Sequence, residues 1–244
     1  MRREVGLLPS DVERLSEWIR AQVAEAGRVA AVVGLSGGID SATVAALAKR
    51  ALGDEVYGVI MPCESDPADA EDARLAAEAL NVSYRVVDLG PVFQVLRAQL
   101  ELPPNLPRLA VANLKPRLRM ITLYAEAAAR NALVLGTGNR SELEIGYFTK
   151  YGDGGVDLLP IGGYLKHEVR ALARELGVPA RIIDRQPSAG LWDGQTDESE
   201  MGMTYQELDS YLASGEGSPV VEGLVETMRR ASEHKRSLPP IFPR

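Results

Sequence analysis

One cysteine, two histidines and three phenylalanines are all that this chain of 244 residues contains of those types. Cys63 has no partner for an intramolecular disulfide, and two histidines do not make a zinc-ligand cluster. Cys63 also follows an apolar run, where a packed thiol is the expected reading rather than a nucleophile. Long hydrophobic runs are missing as well. No segment approaches 18 apolar residues, and the amino terminus has no apolar stretch leading to a cleavage site, so the expectation is a cytoplasmic protein with no membrane partner. Positive charge is scarce: 27 Lys and Arg face 34 Asp and Glu, for a net charge of −7. That balance argues against a nucleic-acid surface and leaves any anionic ligand to locally clustered Lys and Arg. The chain shows no internal repeat and no second domain boundary, and its length suits a single α/β domain.

The stretch Gly34-Leu35-Ser36-Gly37-Gly38-Ile39-Asp40-Ser41 organises the rest. The continuous apolar run Val29 to Val33 before it reads as a buried parallel strand, and Ala42 to Leu52 after it is apolar at helical spacing. Strand, glycine turn and helix together make a phosphate cradle: the glycines let the backbone approach a ligand, and the helix offers free N–H groups to an anion. Ser36 and Ser41 add hydroxyls. Asp40 beside phosphates makes sense when a cation such as Mg²⁺ lies between them. The pattern is neither GxxxxGK[ST] nor GxGxxG, which excludes a Walker loop and a dinucleotide fingerprint.

Along the chain, residues 10 to 26 carry a helical stripe, with Ser10 or Asp11 as its cap and Gly27 as its end. Val56 to Met61 and Val82 to Val87 read as further strands, separated by a helix that starts at Asp66-Pro67. This alternation predicts a parallel sheet with right-handed crossovers. Residues 102 to 108 hold three prolines and form a loop. Asn113 to Arg130 reads as a long helix with Lys115, Arg117 and Arg119 in its first turns; Pro116 either defines its start or kinks it. Asn131 to Gly136 is the fourth strand, so Thr137 to Glu142 beyond its carboxyl end faces the same crevice as the cradle. Residues 146 to 163 hold six glycines among Tyr147, Phe148, Lys150, Tyr151, Asp153 and Asp157, the composition of an ordered binding loop. Helices are expected over 166–176, 204–213 and 219–233, with a basic tail at His234-Lys235-Arg236.

These motifs together resemble ammonia-dependent NAD synthetase, of the N-type ATP pyrophosphatase superfamily. The residues that carry the resemblance are Ser36 to Ser41, Asn113 to Met120, Leu135 to Glu142, Gly146 to Gly155, Pro187 to Trp192, Gly194 to Glu198 and His234 to Arg236. The resemblance implies a doubly wound parallel sheet with helices on both faces, in one domain. Residues 28–186 would form the nucleotide-binding core, 187–203 a mobile lid, and 204–244 the terminal helices and basic tail. It implies adenylation of the nicotinate carboxylate of deamido-NAD by ATP, then attack by ammonia, giving NAD, AMP and pyrophosphate. It implies that Gly34, Leu35, Ser36, Gly37, Gly38, Ile39, Asp40 and Ser41, with Thr137, Lys166 and Ser188, hold ATP. Asp40 and Glu142 would bind Mg²⁺, and Arg117, Lys150, Asp157, His234 and Lys235 would bind deamido-NAD. Catalysis would rest on Asp40, Lys166 and Asp153, the last meeting ammonium. A homodimer is implied, with deamido-NAD partly across its interface.

Pro116 departs from the small residue that this pattern has between Lys115 and Arg117. Within the lid, Gly190, Gly194 and Gly202 are expected as hinges, Leu191 and Trp192 as the seat, and Asp193, Asp197, Glu198 and Glu200 as solubilising charges. GMP synthetase, asparagine synthetase and tRNA thiolation enzymes share the glycine loop, but the last would bring a basic surface and catalytic cysteines. A sensor that has lost catalysis would not need Asp40, Glu142 and Lys166, and all three are present.

Overall fold

The computed structural model of the chain describes residues 10–103, 105–188, 190 and 196–243. Strand β1 (Ala30–Leu35) is central, with β2 (Val56–Ile60) and then β3 (Ser83–Val86) on one side and β4 (Ala132–Leu135) on the other. Every pairing is parallel, with Val33 opposite Gly58 on one flank and Leu135 on the other. The chain therefore builds outward from β1 to β3 and then crosses back to β4. This reversal opens a crevice beyond the carboxyl ends of β1 and β4.

Side chains alternate across a strand, and β1 buries both faces. Ala31, Val33 and Leu35 pack with α1 (Asp11–Glu25), α2 (Ile39–Leu52) and α8 (Lys166–Glu175), through Leu15, Leu47 and Leu172 among others. Ala30 and Val32 face the opposite layer, where Phe93 of α4 (Gly90–Gln99) and Ala127 of α6 (Leu114–Arg130) close the core. The doubly wound sheet with helices on both faces is thus as expected. Helix α4 has no counterpart in the sequence reading; Phe93 is its one buried residue, so its apolar periodicity is weak. Pro116 is the third residue of α6, where an N–H has no helical partner to lose, and the helix runs through it to Arg130.

Helix α3 (Pro67–Ala79) starts as expected, with the Asp66 side chain accepting from Ala68 N–H. A short helix α5 (Arg108–Ala112) follows the proline loop. Helix α7 (Arg140–Ile145) follows β4 and α9 (Ala180–Ile183) follows α8. Beyond these, α10 (Asp197–Met201), α11 (Tyr205–Ser214) and α12 (Pro219–Arg236) enclose their own apolar cluster around Ile145, Met201, Leu208 and Val225. Two features differ from the sequence reading. Helix α12 carries His234, Lys235 and Arg236 in its last turn, so the basic triplet is the end of a helix. Residues 196–203 are built into the terminal cluster: Met201 and Met203 are buried and Gly202, at φ 70°, caps α10. Asp197 is 5% exposed, so it is no solubilising charge. Leu191, Trp192, Asp193 and Gly194 lie outside the described residues.

Candidate active site

The cradle is formed by residues that hydrogen-bond to one another. Ser41 Oγ donates to Gly38 O at 2.9 Å and accepts from Ser36 N–H at 3.2 Å, while the Ser36 hydroxyl lies 3.1 Å from Ser41 Oγ. Helix α2 begins at Ile39, so Ile39, Asp40 and Ser41 form its first turn, ahead of the Ala42 N–H bond to Gly38 O. Their N–H groups have no helical acceptor and stand at the positive end of the helix. Gly37 has φ 81°, and a Cβ there would sit 2.4 Å from Asp69 O. Only glycine lets α3 pack this closely on the loop.

Asp40, on α2 beyond β1, and Glu142, on α7 beyond β4, both reach the crevice, and Asn139 ties them together. Asn139 caps α7: its Oδ1 accepts from Glu142 N–H at 3.1 Å, and Glu142 Oε2 accepts from Asn139 N–H at 3.2 Å. The same amide donates through Nδ2 to Asp40 Oδ1 at 3.0 Å. Lys166 Nζ then bridges the remaining oxygens, 2.5 Å from Asp40 Oδ2 and 3.2 Å from Glu142 Oε1. Its backbone N–H donates to Ser141 Oγ at 3.0 Å, which fixes the start of α8 against α7. Burial opposes the Lys166 charge, but Asp40 and Glu142 outweigh it and hold the ammonium above the ordinary lysine value. For Glu142 the balance goes the other way. Burial pushes it up to about 7, with Lys166 opposing and Asp40 adding to the rise. One ammonium shared by two carboxylates is better satisfied than either of them.

Tyrosines and further acids pack around this group. Tyr205 OH is 3.2 Å from Glu142 Oε1 and 3.0 Å from Asp197 Oδ2, and its ring lies 4.8 Å from Lys166 Nζ. Tyr147 OH is 2.5 Å from Glu200 Oε2 and 3.2 Å from Asp197 Oδ1. Burial raises Asp197 above the usual carboxylate range.

All of this opens on a cavity of about 530 Å³, lined by the cradle, Thr137, Glu142, Phe148, Asp153, Lys166, Ser188 and Lys235 among others. Among the described residues, six carboxylates line it against four cations, Arg119, Lys166, Arg185 and Lys235. A second cavity of about 360 Å³ abuts it and shares Thr137, Glu142, Phe148, Asp153 and Lys235. Asp153 opens on to both, and its Oδ1 accepts from Thr149 N–H at 2.9 Å. The protein packed around it raises its carboxyl above the ordinary value even though the residue itself is reached by solvent.

The expected dinucleotide residues gather at the rim rather than inside. Arg117 Nη2 donates to Lys150 O at 3.4 Å, and Lys150 Nζ donates to His234 O. Lys235 Nζ joins α12 to the glycine-rich loop through Gly146 O at 2.8 Å and Phe148 O at 2.7 Å. Of these four, Lys235 alone lines the cavity. Asp157 stands apart: Oδ2 accepts from Val134 N–H at 2.8 Å and Oδ1 from Tyr124 OH at 3.0 Å, so one oxygen holds the loop to β4 and the other to α6. Cys63 is fully buried with its thiol toward Leu89 O, and burial raises its pKa, which leaves it inert.

Asn139, Tyr205, Asp197 and Arg185 were not among the sequence candidates. The Asn139-x-x-Glu142 capping pattern was readable. Tyr205 gave no local signal, because its contact with Glu142 spans 63 residues. Arg185 pairs with Asp69 and with Asp72 at 2.9 Å, joining the end of α9 to α3 beside the cradle.

Comparison with known proteins agrees with this geometry. The family described as NAD synthase matches residues 11–239. An NH(3)-dependent NAD(+) synthetase of Carboxydothermus hydrogenoformans is 54% identical over 231 residues, covering 94% of this chain and 95% of that protein. Among solved structures, an NMN synthetase from Francisella tularensis superposes with a TM-score of 0.92 at 36% identity, covering 98% of this chain and 99% of that one. The NH3-dependent NAD synthetase of Campylobacter jejuni, solved with a nitrate ion, gives 0.80 at 30% identity, covering 98% and 100%. With Asp40, Glu142 and Lys166 converging at a glycine cradle, and with relatives matching along nearly the whole chain, this protein belongs to the NAD synthase family.

Proposed function

We infer that the protein catalyses the ATP-dependent amidation of deamido-NAD by ammonia, giving NAD. The observation that carries this reading is the convergence of Asp40, Glu142 and Lys166 on one point beside the cradle. With the β and γ phosphates on the N–H groups of residues 36–41, the α-phosphate is presented to Thr137, Lys166 and the acceptor. The nicotinate carboxylate oxygen attacks that phosphorus, the α–β bridging bond breaks, and pyrophosphate leaves with the electron pair. Lys166 offsets the charge that builds on the phosphoryl oxygens. Ammonia then attacks the carbonyl carbon of the acyl-adenylate. The carbon–oxygen bond to AMP breaks, and a proton of the incoming nitrogen passes to Asp153, which borders both cavities. Ser188 lies beside the phosphates in this reading.

The donor set fits Mg²⁺. Asp40 and Glu142 give hard oxygens that already converge on one cation, the Lys166 ammonium, and a cavity with more carboxylates than cations needs added positive charge before it takes ATP. Asp40 and Glu142 would hold the ion, which would neutralise phosphate charge and free Lys166 to turn to the reacting oxygens.

Arg117, Lys150, His234 and Lys235 would bind the diphosphate of deamido-NAD from the rim. Leu109, Ile121 and Tyr151 stand 50%, 60% and 56% exposed nearby, which supports a homodimer that covers this rim and completes the dinucleotide site. Asp157 would act there as a brace for the loop. Among the described residues no helix is long and apolar enough to cross a membrane.

A second acceptor has support. The neighbour with a TM-score of 0.92 is named an NMN synthetase, whereas the 54% identical relative is named an NAD synthetase. Deamido-NAD and its mononucleotide counterpart share the reacting carboxylate and differ in the adenylyl half, which only the rim would feel. The test is kcat/KM for each acceptor with saturating ATP and ammonia. The expected result is a preference for deamido-NAD of at least about tenfold, the worth of one charged contact. A preference for the mononucleotide would transfer the assignment to that acceptor.

A further inference from the structure

Among the described residues four cations line the main cavity, and three of them are engaged. Lys166 bridges Asp40 and Glu142, Arg185 pairs with Asp69 and Asp72, and Lys235 holds two loop carbonyls. Arg119 differs. Its Nε–H donates to Met61 O at 3.2 Å, and among the described residues neither Nη atom meets a hydrogen-bond acceptor or an ion-pair partner. Burial works against its charge, and Cys63, Asp153 and Asp69 offset this only from a distance. A guanidinium does not escape by losing a proton. Arg119 is half-buried and lines the cavity, so its two Nη groups have donors to offer a ligand there.

The place of Arg119 decides what that is. The cradle follows β1, and Thr137, Glu142 and Lys166, where the reaction takes place, lie on the β4 side of it. Met61 follows β2, on the opposite side of β1. A nucleotide with its phosphates on the cradle and its reacting phosphorus toward β4 therefore extends its unreactive end toward β2 and Arg119. The apolar part of the cavity lining includes Ile60, Met61 and Leu123. It approaches β1 closely: a Cβ on Gly34 would lie 3.3 Å from Met61 Cε and 3.4 Å from Leu123 Cδ1. Apolar side chains beside one planar cation suit a purine, whose ring nitrogens accept hydrogen bonds and whose face attracts a guanidinium.

We propose that Arg119 binds the adenine of ATP through its two unengaged Nη groups, a role distinct from that of Arg117 two residues earlier at the rim. The proposal rests on the ATP-dependent reading given above. Calorimetric titration of AMP and of inorganic tripolyphosphate with Mg²⁺, into the wild type, Arg119→Met and Arg119→Lys, tests it. AMP carries the base without the phosphates of the cradle, and tripolyphosphate the reverse. The expected result is AMP affinity lower by roughly 10- to 100-fold in both variants, the cost of losing a charged planar donor, with tripolyphosphate within about twofold of wild type. In turnover, KM for ATP rises and KM for deamido-NAD does not. If Arg119→Met fails to fold for want of the Met61 contact, Arg119→Lys, which keeps the charge and loses the plane, carries the test. AMP binding unchanged in the folded variants overturns the proposal, and so does a loss confined to tripolyphosphate or to KM for deamido-NAD. AMP binding needs no acceptor, so an error in the acceptor assignment leaves this result standing.

Discussion

The crevice around Asp40 and the basic rim around Arg117 draw on the same few charged residue types but are built differently. In the crevice, charges come in closed sets. Lys166 is 2% exposed and satisfied by two carboxylates, and each carboxylate is held by Asn139. At the rim, Arg117, Lys150 and Lys235 donate to backbone carbonyls, so their charges are oriented but not neutralised. The first arrangement is one a single chain completes, as suits groups that must meet a reacting phosphorus within fractions of an ångström. The second is left open to an anion, and the apolar surface beside it leaves it open to a second subunit.

This difference sets the sizes of mutational effects. Lys166→Met, Asp40→Asn and Glu142→Gln each break a closed set, and each is expected to lower kcat by about 10²–10³-fold, the range for removing one group that meets developing charge. Glu142→Gln carries a further signature. A carboxyl raised to about 7 in the native state binds more protons there than when unfolded, so the native state loses stability as pH rises from about 4.5 toward 7. Glu142→Gln removes that loss, and calorimetry without substrates should show it melting above the wild type at pH 8. A melting point below the wild type at that pH would mean that the Lys166 pair outweighs burial.

At the rim, Arg117→Ala and Lys235→Ala should raise KM for deamido-NAD by roughly 10- to 100-fold, leaving KM for ATP and the ATP–pyrophosphate exchange rate at saturating acceptor within a few-fold. Equal losses for both substrates would erase the distinction between the two regions. Smallest of the three is Tyr205→Phe, which keeps the ring over Lys166 and removes one hydroxyl shared by Glu142 and Asp197. Its expected cost is a few-fold in kcat and about 1–3 kcal/mol in stability, because Asp197 stays buried with one donor fewer. A loss as large as that of Lys166→Met would give Tyr205 a direct part in the reaction.

The parts of the closed region were legible because each is local, although the contacts that join them, Asn139 to Asp40 and Lys166 to Asp40, span 99 and 126 residues. The run into β1, Gly37 at φ 81° and the Asn139-x-x-Glu142 cap are each written within a few residues. The open region was legible only as motifs. Arg117, Lys150 and His234 are joined by contacts across 33 and 84 residues, and no periodicity reports those. Asp157 was placed with the ligand residues, yet both its oxygens are taken by Val134 and Tyr124. Asp197 was read as solvated because acidic, Gly-rich segments usually are. Helix α11 reverses that by bringing Tyr205 over it.

The central claim is that the cradle holds the β and γ phosphates so that the nicotinate carboxylate attacks the α-phosphate. Deamido-NAD labelled with ¹⁸O in both carboxylate oxygens tests this most directly, with turnover in ammonia and mass analysis of every phosphate product. The expected result is one labelled oxygen in AMP, one in the amide of NAD and none in pyrophosphate. Label appearing in orthophosphate, with ADP as the nucleotide product, would mean that attack falls on the γ-phosphate and would contradict the assignment of the cradle.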